Sequence, residues 1–282
     1  MNRLPTPHRF RISAPSMVYG FDLKENLKAL PGLVDHVEIV LFHTSERHNI
    51  PTMAQLSLLK EIRKKSGLTY SVHLPASCDI TASDPELNTL SLEQILDLIR
   101  HFHTLRPEYY ILHLPITPPT LVAEPGCYIH EKDLHRYADW AKRAAAGLHH
   151  VQNETGVGRR LLVENINYSP VFLEPFWDQN LCGFCLDIGH LLLGGECVRH
   201  YLDRYLSVIS EVHLHGVVGW EEHLALDVLP EERVRGWIDR LAAHRFDGIV
   251  NLEVFDPRDL DLSLKMLEKI VCKQKTVRVE RS

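Results

Sequence analysis

Six apolar segments of this chain each carry an acidic residue or a histidine at or near their C-terminal end. The side chains at these positions can all bind metal ions, and they are His73, His113, Glu164, Asp187, His213 and Glu253. Imidazole nitrogens combined with carboxylate oxygens suit zinc, manganese or iron rather than calcium. A single histidine in an apolar run is more often a hydrogen-bonded core residue. Six such residues in consecutive runs instead indicate one shared metal site.

The elements that must position these residues alternate between strand-like and helix-like patterns along the whole chain. Eight apolar strand-like runs, from FRISAPSM to GIVNLEVF, are each followed by a stretch with helical spacing. Eight such units predict an α/β protein with a single (β/α)8 TIM barrel. The C-terminal ends of the strands then meet at one mouth, which would bring the six residues together. An open doubly wound sheet is the alternative, but the first turn, SAPSMVYG, lacks the GxGxxG pattern.

The predicted domain fills residues 1–282, with the barrel at about 10–272 and a polar C-terminal tail at 273–282. Within it, Ser91 is predicted to cap the N-terminus of the helix after the third strand. The helix after the fourth strand is expected to run from about Glu131 to His150.

The amino-acid composition limits the classes of function that this protein can have. The 31 Lys and Arg residues against 37 Asp and Glu residues give a net charge of −6, which argues against binding to a nucleic-acid backbone. No segment reaches the roughly 20 apolar residues of a membrane span, and the N-terminus does not read as a secretory signal. We therefore expect a cytoplasmic protein, a monomer or a dimer, that acts on a small molecule.

The cysteines are expected to be structural. Cys182 and Cys185 form a CxxC pair, but they lie in a strand-like run, where residues three apart point to opposite faces. This spacing argues against a shared metal or redox role. All six cysteines are therefore predicted to be buried, reduced thiols.

The order of the metal-competent residues resembles the xylose isomerase-like barrel superfamily, and within it the endonuclease IV (AP endonuclease family 2) branch. The resemblance implies two or three divalent ions in the mouth, with zinc expected and manganese as the alternative. It assigns His73, His113 and Glu164 to the first ion. Glu164 would bridge to a second ion held by Asp187, His213 and Glu253.

The resemblance implies a third ion held by His190 and by an acid-x-His pair after the seventh strand. Here that pair is Glu221 and His223, although the branch usually has Asp at the first position, and Glu222 is the alternative. His215 stands where the branch has Asn, and it could be an extra ligand or a phosphate contact.

Two activities are compatible with this resemblance. A single-metal sugar or sugar-phosphate isomerase or epimerase would need only the second set of ligands, with Glu164 and Glu253 as the acid/base pair. Several ions suit phosphodiester hydrolysis, in which water attacks phosphorus in line while the metals neutralise charge on the leaving oxygen. The four histidines beyond the needs of an isomerase favour the hydrolase, with Glu164, Glu253 and His215 as catalytic residues. A metal-bound carrier without enzymatic activity fits poorly, because binding alone does not need an open site with several metals.

The loops at the predicted mouth indicate the substrate. The HLP sequence repeats after the third and fourth strands, and the segment LHLPITPPTLVAEPG is apolar and rich in proline. These features resemble the bacterial cobamide-remodelling phosphodiesterases, which cleave the nucleotide loop of corrinoids; DNA, the substrate of AP endonucleases, fits less well. His43 and His48, in the loop after the second strand, are candidate substrate contacts. Glu38 is a further candidate, either as an acid in the barrel lumen or as a partner of a ligating histidine.

Overall fold

The computed structural model describes residues 9–44, 47–116 and 128–279, with the backbone alone from residue 272 onward. Eight parallel strands close into a barrel in the order β1-β10-β7-β6-β5-β4-β3-β2. They are β1 (Arg11–Pro15), β2 (His36–Val40), β3 (Thr69–His73), β4 (Tyr110–His113), β5 (Leu161–Glu164), β6 (Gly183–Asp187), β7 (Ile209–Leu214) and β10 (Ile249–Leu252). The predicted (β/α)8 barrel is confirmed.

Helices surround the barrel, and a short antiparallel hairpin follows β7. The helices are α1 (Leu23–Ala29), α2 (Met53–Ser66), α3 (Pro85–Phe102), α4 (Ala138–Thr155), α5 (Glu174–Asp178), α6 (Ile188–Leu193), α7 (Val198–Tyr205), α8 (Glu231–Ala243) and α9 (Pro257–Val279). The hairpin consists of β8 (Gly216–Val218) and β9 (Glu221–Leu224). It was not predicted, because it is short and half-exposed.

Local capping signals set where the helices begin and end. Thr52 and Gln55 form a capping box at the start of α2, and Gly67, with φ 75°, ends it. The prediction of Ser91 as an N-cap is wrong. Asp84 caps α3 and Pro85 begins it, so Ser91 lies inside the helix, buried, where its hydroxyl accepts the N–H of Asp79.

Two other boundaries differ from the sequence expectation. Residues Glu131–Tyr137 form a 3-10 helix, and α4 then runs from Ala138 to Thr155, five residues past the expected end. At the C-terminus α9 continues through Val279, so most of the predicted tail is helical. Among the described residues, no helix has both the length and the apolar composition of a membrane span.

Strand register decides which side chains enter the barrel lumen. The pairs His113–Glu164, Glu164–Cys185 and Asp187–His213 lie side by side on neighbouring strands. Because paired residues in a parallel sheet point to the same face, this register carries the polar side chains into one lumen. Beneath them Ile111, Leu162 and Cys185 form a separate apolar cluster.

The cysteines largely follow the prediction. Cys182 packs in the outer core and Cys185 in the lumen, so the CxxC pair does point to opposite faces. Cys78 is also a buried free thiol. Cys197 is exposed, and for this residue the prediction of burial is wrong because it precedes α7 on the surface. Cys127 and the side chain of Cys272 lie outside the described residues.

Candidate metal centre

The first cluster consists of His73, His113 and Glu164, at the ends of β3, β4 and β5. His73 Nε2 lies 3.1 Å and His113 Nε2 lies 3.2 Å from the same oxygen, Glu164 Oε2. The Nδ1–H of His73 donates to the Leu74 carbonyl at 2.9 Å, which leaves Nε2 as the nitrogen able to bind a metal. The two imidazole rings are perpendicular, and both Nε2 atoms converge on the same carboxylate oxygen.

The second cluster contains Glu164, Asp187, His213 and Glu253, whose ligand atoms all lie within 4.8 Å of one another. His213 Nδ1 is 3.1 Å from Glu253 Oε2, 3.5 Å from Glu164 Oε1 and 3.8 Å from Asp187 Oδ2. The two oxygens of Glu164 thus face different clusters. A carboxylate in this position can bridge two metal ions.

Glu38 and Asn251 fix the orientation of His213 from below. His213 Nε2 donates to Glu38 Oε2 at 3.0 Å, and the Asn251 amide donates to Glu38 Oε1 at 3.0 Å. His213 therefore presents Nδ1 to the cluster. Glu38 is fully buried, so the prediction of a substrate contact is not supported, and the alternative role as partner of a ligating histidine fits its position. Asn251 was not singled out, although it shares the lumen face of Glu253.

The third set of residues lies toward the open side of the mouth. His190 sits in the first turn of α6, and its backbone N–H donates to Asp187 Oδ1 at 2.5 Å. Its Nε2 lies 3.6 Å from Glu164 Oε1, and its Nδ1 lies 3.6 Å from Glu222 Oε2. Glu222 Oε1 is in turn 3.7 Å from His223 Nε2. Glu222 thus stands between the two histidines.

Glu221, the predicted acid of this third set, is exposed and pairs across the hairpin with Val218. In a regular strand Glu221 and His223 would share a face, which is what the acid-x-His pattern assumes. His223 instead has φ 59°, and this left-handed backbone breaks the alternation. The structure therefore favours Glu222 over Glu221.

His215 lies inside the centre rather than on its surface. Its ring is 4.5 Å from that of His223, its Nε2 is 3.4 Å from Asp187 Oδ2, and its Nδ1 lies 3.2 Å from the Gly216 carbonyl. A Cβ at Gly189 would meet this ring at 2.0 Å, so only glycine leaves room for it. His215 is fully buried and belongs to a candidate ligand group with His223 and Glu253, so its position fits the predicted role as an extra ligand.

The other predicted substrate contacts, His43 and His48, are exposed in the loop after β2. They pair with each other as an isolated bridge, and His43 Nδ1 lies 2.5 Å from Gln94 Nε2. Within the described part of the chain, neither has a hydrogen bond or ion pair with the clusters.

Burial and neighbouring charges shift the pKa values of several groups in the centre. Burial alone would raise the pKa of Glu164, but the positive charges of His213 and His113 hold it well below its usual range. Burial alone would lower the pKa of His73, but the hydrogen bond with Glu164 and the surrounding carboxylates raise it to about 9. In the same way, Asp187 and Glu253 overcome burial and raise the pKa of His215 to about 9. These imidazoles therefore hold protons at the positions where metal ions would place their charge.

Several buried polar atoms of the centre have no hydrogen-bond partner among the described residues. They are Asp187 Oδ2, His213 Nδ1, His215 Nε2 and Glu253 Oε2. An unpaired buried polar atom costs about 1–3 kcal/mol, so such atoms rarely gather in one place without a ligand. Imidazole nitrogens and carboxylate oxygens are donors that suit divalent transition-metal ions, and these atoms belong to two of the candidate ligand groups. The residues present fit the metal ions that the sequence predicts.

The sequence matches the family described as the xylose isomerase-like TIM barrel over residues 32–270, and the chain belongs to this family. A D-tagatose 3-epimerase-like protein is similar in structure, with 18% identity, a TM-score of 0.74 and coverage of 97% of this chain and 100% of the other. Endonuclease IV from Thermus thermophilus is similar with 21% identity, a TM-score of 0.67 and coverage of 93% and 99%.

Another protein of Thermus thermophilus, soaked with ZnCl2, is also similar, with 22% identity, a TM-score of 0.60 and coverage of 94% and 98%. A search of curated proteins found no significant match. At these identities the structural likenesses establish the fold alone.

Replacing Glu222 by Gln should remove one bound ion, because Glu222 lies between His190 and His223. Elemental analysis after dialysis against zinc would show about one ion less per chain than in the wild type. Glu221→Gln is the matched control and should keep the full content. If Glu221→Gln lost the ion and Glu222→Gln kept it, Glu221 would be the ligand.

The metal-free protein should lose stability as the pH rises. The pKa of His73 is raised from 6.5 to about 9, so its stabilising contribution is complete below pH 6.5 and disappears as the pH approaches 9. The protonated His215 contributes to stability in the same direction, because its pKa is raised as well. A rise of one pKa unit corresponds to about 1.4 kcal/mol in favour of the protonated form. Urea unfolding in EDTA at pH 6.5 and pH 9 measures the difference. A free energy of unfolding that is constant or rises over this range would contradict the raised pKa values.

Proposed function

We propose that the protein is a metal-dependent phosphodiesterase that hydrolyses a small nucleotide-like diester. The arrangement of Glu164 carries the proposal, because two histidines converge on one of its oxygens while the other oxygen faces the second cluster. Such a bridge serves a centre with more than one ion. A site for a single ion would not need His73 and His113.

Divalent ions in such a centre would lower the pKa of a bound water and neutralise the negative charge that develops on a phosphodiester in the transition state. The protein's own contribution is to fix the donor atoms. Asp187, His213 and Glu253 form the closed, buried side of the centre. His113, His190, Glu222 and His223 are half-buried and form its open side. The phosphate must therefore approach from the side of α6 and the hairpin.

The rim of the mouth favours a bulky, amphipathic substrate. Trp220 at the hairpin turn is 62% exposed, and Phe255, after β10, is 37% exposed and stacks edge-on against His223. An exposed aromatic rim beside a metal centre suits a ligand with large apolar surfaces. These features support a cobamide, cleaved in its nucleotide loop, as the substrate. The proline-rich segment that also suggested a corrinoid lies mostly outside the described residues.

A sugar or sugar-phosphate epimerase is the second candidate. Glu164 and Glu253 both face His213 in the second cluster, as an acid/base pair at a single ion would require. The similarity in fold to the D-tagatose 3-epimerase-like protein makes this function worth testing. It assigns no role to the first cluster.

Replacing His113 by Ala separates the two candidates, because His113 belongs to the first cluster alone. The diesterase should lose one bound ion and at least about 100-fold in turnover of a cobamide, the order of effect expected when one charge-stabilising group is lost. An epimerase would keep its metal content and its activity on D-tagatose. An abasic DNA duplex, assayed in parallel, tests for the activity of an AP endonuclease.

Glu164→Gln should abolish turnover and reduce binding of both the first and the second ion, since each cluster uses one of its oxygens. Zinc content and cobamide hydrolysis would be measured on the same preparation, with circular dichroism to confirm folding. Retained activity would show that Glu164 does not bridge.

A further inference from the structure

A second candidate site is a pocket between the loops that follow β1 and β2. Its volume is about 330 Å³, and its walls combine aromatic, basic and other polar side chains, namely Phe21, Phe42, Arg47 and His48 together with Asp22, Asn49 and Gln55. We call it the Phe21 pocket. Both loops leave the C-terminal ends of their strands, so the pocket opens on the same face of the barrel as the metal centre.

The walls of the Phe21 pocket combine aromatic faces with a cation. Phe21 is 61% exposed and meets Phe42 edge to face, with ring centroids 5.7 Å apart. The guanidinium carbon of Arg47 lies 5.7 Å from the centroid of each ring. Exposed aromatic rings and arginine planes are the surfaces on which heterocyclic bases stack.

Hydrogen bonds hold the loop of the Phe21 pocket to the barrel. The side chain of Asn49 accepts the Phe42 N–H at 2.8 Å and donates to the Val40 carbonyl at 2.7 Å. Val40, the last residue of β2, pairs in register with His73 of the first cluster. The loop is thus attached to β2, the strand next to the one that carries a candidate metal ligand.

His48 adds a directed hydrogen-bond donor. Its Nδ1 accepts the Ile50 N–H at 3.3 Å, so in the neutral ring Nε2 carries the hydrogen. Arg47 supplies further donors and no acceptor. The aromatic faces beside these donors match a flat ring system with acceptor nitrogens better than a sugar, which has no flat face.

We propose that the Phe21 pocket binds the planar aromatic base of the diester substrate while its phosphate lies at the metal centre. This inference rests on the proposed function, because only a nucleotide-like diester carries such a base. A pocket of this volume accommodates one bicyclic base, at the small end of ligand sites. It assigns the recognition of the base to Phe21 and Arg47.

The first experiment measures binding without catalysis. Benzimidazole riboside, which has a base and a sugar but no phosphate, is titrated into the zinc-loaded protein by calorimetry. Phe21→Ala should weaken binding about tenfold, in line with the loss of one stacked ring, and Phe21→Trp should restore it. Leu90→Ala, at a similarly exposed apolar residue outside the pocket, is the control. No binding to the wild type, or equal binding to Phe21→Ala, would overturn the proposal.

The second experiment compares two diesters with the same leaving group, thymidine 5′-(p-nitrophenyl phosphate) and methyl p-nitrophenyl phosphate. The preference for the nucleoside diester, as a ratio of kcat/KM, should fall about tenfold in Phe21→Ala, mainly through KM. An unchanged ratio would count against the pocket. If the wild type hydrolyses none of the three substrates, that is, the two diesters and a cobamide, the proposed function fails. The titration still decides whether the pocket binds a base.

Discussion

The centre of this barrel depends on the burial of the Glu164 carboxylate. The residue is 1% exposed, and among the described residues its side-chain contacts are histidines rather than lysine or arginine. A buried carboxylate without a compensating positive charge would be severely destabilising. The barrel supplies that charge from its strands and one helix, through imidazoles that can exchange a proton for a metal ion. The stability of the lumen and its suitability for metal ions therefore have the same origin.

The surrounding structure accepts local strain to keep this arrangement. His223 adopts a left-handed backbone conformation that L-residues rarely use, and it brings both His223 and Glu222 to the cluster. Gly189 has no side chain, and this leaves room for the His215 ring against the start of α6. Such positions tend to occur at functional sites, where the surrounding contacts over-determine the backbone.

The strand residues of the centre could be predicted from the sequence, because strand alternation and barrel closure leave little freedom. His73, Glu164, Asp187 and Glu253 all fall at strand ends that one parallel register brings together. The residues that resisted prediction depend on non-repetitive backbone. The choice of Glu222 over Glu221 depends on the φ of His223, which leaves no periodic pattern in the sequence. The start of α3 is a different case, because its capping signal, Asp84 followed by Pro85, can be read from the sequence.

Asp187 has two structural roles at once. One of its oxygens caps the N-terminus of α6 by accepting the backbone N–H of His190, and the other faces His213 in the second cluster. An ion in the second cluster would be bound by the same carboxylate that holds His190 in place. Ion binding to the third set of ligands would therefore be coupled to ion binding in the second cluster rather than independent of it.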